Sequence, residues 1–131
     1  GVVVAAMVAL TAWSVPDKVE INRRTTDQFR AVEQAVDRAA LDDAILFLPL
    51  RGDGGFLSIT PFLENDPALD GSVLYAEDCG TAANRAVLEQ HPGRSGYRLE
   101  VVDDDRPTHA DSYVIRPIKD DPASRRVACV K

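Results

Sequence analysis

Five consecutive apolar residues, Ala44-Ile45-Leu46-Phe47-Leu48, are closed by Pro49 and constrain the fold more than any other feature. A continuous short apolar run suits a strand covered on both faces, as in a parallel sheet. Val73-Leu74-Tyr75-Ala76 is a second run of the same kind. Covering two such strands takes helices on both sides and a core of some size. The chain has 131 residues, 45% of them apolar and 27% charged, which suits one domain that folds without metal or disulfide staples.

The helices are written in the spacing. Thr25-Thr26-Asp27-Gln28 fits a capping box, a hydroxyl at the cap with Gln close behind. Phe29, Val32, Val36, Ala39 and Ala40 follow at helical spacing, which predicts an amphipathic helix over 27–40. A second helix is predicted over 81–90, apolar at Ala83, Val87 and Leu88 and stopped by His91-Pro92-Gly93. Residues 97–102 alternate and read as a third strand. Residues 112–118 and 126–130 read as two more, arranged as a hairpin. The stretch 49–71 is rich in Pro and Gly but holds Phe56, Leu57, Ile59, Phe62 and Leu63, so it is expected to pack down on the domain. The layout predicts an α/β fold: a small, mostly parallel sheet flanked by two main helices, with an antiparallel C-terminal hairpin.

Residues 1–13 carry no charge. At about 1.5 Å per residue they cover roughly 20 Å, short of the ~30 Å hydrocarbon core of a bilayer. Two readings fit. One is the end of a transmembrane helix with Trp13 at the interface. The other is a buried strand, since Val2, Val3 and Val4 are β-branched. Pro16 is expected to end the segment in either case, because it disfavours helical geometry in its predecessor. The resulting division is an apolar segment over 1–14 and one α/β domain over 15–131.

Fifteen basic against 21 acidic residues give a net charge of −6. This argues against non-specific nucleic-acid binding and against anionic membranes as an electrostatic partner. Two cysteines are too few for a disulfide framework or a cysteine-only zinc site.

Sites in open α/β sheets lie beyond the carboxyl ends of the strands. Arg51-Gly52-Asp53-Gly54-Gly55 follows the first strand, but its spacing matches no phosphate-binding loop and no helix opens directly after it. Glu77-Asp78-Cys79-Gly80 lies between the second strand and the second helix. Cys79 sits where a helix dipole favours a thiolate, while the neighbouring carboxylates oppose it. A nucleophile needs a base; His91 lies a helix length away, which leaves His109. Cys79 and Cys129 fit a disulfide outside the cytoplasm, or two free buried thiols. No metal-ligand spacing stands out and no cofactor is implied. A hydroxyl-rich ligand such as a glycan needs planar apolar faces and carboxylates or amides. The candidates for that role are Asp53, Asn65, Asp66, Tyr75, Glu77 and Asp78.

Four segments occur in a telling order: residues 44–49; Asn65-Asp66-Pro67 through Tyr75-Ala76-Glu77-Asp78; Asn84-Arg85; and His91-Pro92-Gly93-Arg94-Ser95-Gly96-Tyr97-Arg98-Leu99. Over roughly residues 15–102 the chain resembles the soluble C-terminal domain of multi-spanning prokaryotic glycosyltransferases. These are similar to the dolichyl-phosphate-mannose–protein mannosyltransferase class and occur in actinobacteria and haloarchaea. The resemblance implies an extracytoplasmic appendage whose last membrane helix runs into Val15-Pro16. It also implies that the catalytic acids lie in the membrane portion, so none is carried over to this chain. The implied partners are the membrane portion of the same polypeptide and a glycan or acceptor. Lys18, Arg23 and Arg24 beside the apolar segment favour the cytoplasmic side instead, although large domains translocate regardless of such charges. Two other classes fit the residues: a stand-alone α/β enzyme with a thiol or carboxylate site at Glu77-Asp78-Cys79, and a membrane-tethered interaction module.

Overall fold

The computed structural model describes residues 2–49, 64–102, 108–120 and 129. The described elements are helix α1 (Val2–Ala39), strand β1 (Ala44–Leu48), β2 (Val73–Glu77), helix α2 (Thr81–Glu89), β3 (Ser95–Val101) and β4 (Tyr113–Pro117). Short 3-10 turns, Ala110–Ser112 and Ile118–Asp120, bracket β4. The sheet order is β2-β1-β3-β4. β1 is central and pairs parallel with β2 and β3, while β4 runs antiparallel to β3 at the edge. The α/β class and the antiparallel C-terminal edge are therefore as the sequence predicts. The predicted strand over 126–130 and the apolar residues of 50–63 lie outside the described residues.

The sheet is covered on both sides because β1 faces both ways. All five β1 residues are buried. Side chains alternate along a strand, so Leu46 and Leu48 join Ala31, Val32, Ala35 and Val36 of α1, with Leu99 and Tyr113. Ile45 and Phe47 point oppositely and join Leu74 and Ile118, with Val87 and Leu88 of α2 packed against them. The result is a layered arrangement, helix on sheet on helix.

α1 differs from the sequence expectation in three ways. It passes through Pro16 without ending. An interior proline removes one hydrogen bond and costs about 3 kcal/mol. Here that loss falls in a 38-residue helix with good helix formers such as Lys18, Glu20 and Arg23 after it, and its far end is fixed by the sheet. The continuous helix also overturns the buried-strand reading of residues 2–4, since the β-preference of valine is weak beside cooperative extension of a helix. Finally, the predicted capping box lies in mid-helix. Thr26 Oγ1 donates back to the Asn22 carbonyl at 2.9 Å, the bond a hydroxyl makes when a helix continues past it. The buried stripe is Ala31, Val32, Ala35 and Val36, whereas Ala39 and Ala40 are exposed. Ala40 takes a left-handed φ of 46° and its N–H bonds the Asp37 carbonyl, which ends the helix.

Candidate functional site

The carboxyl ends of β1, β2 and β3 lie at one end of the sheet, as parallel pairing requires. The turn from β2 into α2 closes that end, and it is built around one carboxylate. Asp78, 4% exposed, accepts hydrogen bonds at Oδ1 from the Asn84 amide at 2.8 Å and from the Gly80 N–H at 3.1 Å. The other end of the Asn84 amide accepts from the Cys79 N–H at 3.0 Å. Asn84 is 1% exposed, so a buried amide ties the start of α2 to the end of β2. Gly80 holds φ 87°, a left-handed value that side chains resist, and that lets its N–H turn toward Asp78. The helix has no side chain capping it from Gly80 itself; Asp78 places its negative charge near the helix N-terminus instead.

Cys79 is bonded to Cys129, with the two Cα atoms 5.2 Å apart and the residues 50 positions apart in sequence. The Glu77 carboxylate and both sulfurs lie within 4.8 Å of one another. With the sulfurs joined, this trio offers no thiolates to a cation.

The remaining predicted residues do not converge on one cleft. Asn65 and Tyr75 meet through the backbone. The Asn65 amide donates to the Tyr75 carbonyl at 2.8 Å and accepts from the Tyr75 N–H at 2.7 Å. Among the described residues β2 is an edge strand, and this two-bond clasp occupies groups that would otherwise invite another strand. Asp66 shapes a turn by accepting from the Ala68 N–H at 2.7 Å. Asp53 lies outside the described residues.

The Tyr75 side chain faces a groove of about 440 Å³ between the end of α1 and β2, with Val36, Leu41 and Val73 as apolar lining and Asp37 and Glu64 as carboxylates. Burial raises the Tyr75 hydroxyl above its ordinary pKa, and Glu33, Glu64 and Asp37 push it the same way. Sequence reasoning missed these three acids. Glu33 and Asp37 lie on the polar face of the 27–40 helix, which cannot be matched to a strand before the packing is known, and Glu64 lies in the turn before β2 beside Asn65.

Among the described residues, no helix is long and apolar enough to cross a membrane. No curated protein and no solved structure matches the chain. Residues 44–120, from the first buried strand to the turn after β4, match the family described as Domain of unknown function (DUF7846), and the chain belongs to that family.

Proposed function

We propose that the chain is a non-catalytic, extracytoplasmic accessory domain of a membrane glycosyltransferase, assisting acceptor or glycan binding. The observation that carries this reading is the Cys79–Cys129 bond. Disulfides persist in oxidising compartments, and this one occupies the only thiols in the sequence. A thiol enzyme at this strand end would need Cys79 free. The nearby Asp78 carboxylate is buried and engaged in holding α2, which favours an architectural role for the strand end.

Two further features support the proposal. The charge-free residues 2–13 continue without a break into the helix that packs on the sheet, so an anchor would be rigidly joined to the domain. The Tyr75 groove combines an aromatic ring with carboxylates, the groups that receive sugar faces and hydroxyls.

The reading frame tests the anchor. A run of apolar spans upstream of Gly1 in the same polypeptide is expected, and a start codon immediately before Gly1 would overturn it. Removing residues 15–131 from such a polypeptide should raise KM for acceptor and leave transfer at saturating acceptor largely intact. Loss of all transfer with the membrane part still folded would refute the accessory role.

A further inference from the structure

A second cavity lies at the opposite end of the sheet from the disulfide. It has a volume of about 390 Å³ and sits between α2 and the paired ends of β3 and β4. That volume falls within the ~300–1,000 Å³ range of small-molecule pockets. Leu88, Pro117 and Ile118 supply apolar lining, and Arg85 and Lys119 supply charge. Gly96 keeps the wall thin: a Cβ there would come within 2.4 Å of Leu88 Cδ1.

The charge is out of character for the molecule. In a chain of net charge −6, the described residues lining this pocket include two cations and no acid. Neither Arg85 nor Lys119 makes an ion pair among the described residues, and Glu89, one turn beyond Arg85, does not pair with it. Further charged residues lie on the same face. Tyr97, Leu99, Tyr113 and Ile115 point toward α1, so alternation places Arg98, Glu100 and Arg116 on the α2 side. Glu100 is shared between Arg98 and Arg116 there.

We infer that this pocket binds an organic phosphate monoester, with the phosphate held by Arg85 and Lys119 and the apolar body against Leu88 and Ile118. Two cations lining one pocket suit a dianion, since charge-assisted hydrogen bonds are the strong ones. The apolar lining selects an ester over the bare ion. The inference does not depend on the accessory role proposed above.

The test uses the 131-residue chain, isotope-labelled for NMR titration. The probes are phenyl phosphate, inorganic phosphate, and phosphatidylcholine vesicles with or without phosphatidic acid. Phenyl phosphate is expected to shift Leu88, Gly96 and Ile118 saturably and to bind at least about tenfold tighter than inorganic phosphate. The double variant Arg85→Glu/Lys119→Glu should weaken it by at least about tenfold. Both positions are exposed, so unchanged melting shows that the variant folds. Arg30→Glu, the same charge reversal on α1, should leave binding unchanged. If phenyl phosphate is silent but phosphatidate vesicles bind in a manner that needs Arg85 and Lys119, the ester is a lipid headgroup and the inference stands. Binding of neither probe, binding that survives the double reversal, or equal affinity for inorganic phosphate would overturn it.

Discussion

Replacing Asn84 by leucine removes the amide that joins the start of α2 to the end of β2 while keeping the volume nearly constant. Two hydrogen bonds go: the one donated to the Asp78 carboxylate at 2.8 Å and the one accepted from the Cys79 N–H at 3.0 Å. Water does not replace them readily, because Asn84 is 1% and Asp78 4% exposed. A bond to a charged group is worth roughly 1.5–3 kcal/mol, and a buried N–H left unpaired costs about 1–3 kcal/mol. Burying leucine's extra apolar surface offsets about 1 kcal/mol. The net expectation is a loss of roughly 3 kcal/mol, or about 10 °C in Tm for a domain of this size. Urea and thermal unfolding of the oxidised protein measure it. The cycle Asn84→Leu, Asp78→Asn and the double variant should show coupling of at least about 1 kcal/mol. A loss below about 1 kcal/mol, or additive single effects, would show that the amide does not organise this end of the sheet.

Three other outcomes follow from the packing and the charges. Replacing Cys79 and Cys129 together by alanine opens a cross-link over 50 residues and should cost about 4 kcal/mol on the chain-entropy model; reductant should lower the Tm of the wild type by a similar amount and leave the variant unmoved. Glu100 is pulled upward by burial, but hydrogen bonds from Arg116 and Arg98, with their charges, outweigh this and hold its pKa below the usual 4.5. Its stabilisation is therefore present above pH 4.5 and disappears as pH falls through the lowered value. Glu100→Gln should cost roughly 0.5–1 kcal/mol at neutral pH and progressively less in acid, as read from urea midpoints across pH. Asn65→Ala reopens the outer edge of β2; it should cost about 1 kcal/mol and raise light scattering on concentration, and an unchanged association state would argue against the clasp.

The sheet was legible because its strands are short and nearly uniform in character. The run from Ala44 to Leu48 announces burial on both faces, and that is how β1 sits. The Val73 and Thr81 segments were read to within a residue or so for the same reason, since an apolar strand followed by a helical pattern leaves little choice. α1 was harder. Pro16 and Thr26 are local signals for a boundary, but helix formation is cooperative, and a helix held by the sheet through Val32 and Val36 overrides both. The candidate site was only partly legible. Asn65, Asp66 and Asp78 are residue types that suit ligands and turns equally, and the structure uses them for the backbone of β2, a turn and the entry to α2. Asp37 reaches Tyr75 only through the packing of α1 beside β2, and Glu64 through the turn that Asn65 clasps to β2, neither of which a local pattern encodes. Arg85 and Lys119 are 34 residues apart in sequence and meet at one cavity because β4 returns antiparallel to β3.

The state of the two cysteines tests the account most directly. Protein prepared without reductant, unfolded in the presence of an alkylating reagent and digested, is expected to yield one cross-linked peptide pair containing Cys79 and Cys129, with neither residue alkylated. Recovery of both cysteines as alkylated peptides would contradict the account, since it would free the Cys79 thiol at the strand end and remove the main support for an extracytoplasmic, non-catalytic domain.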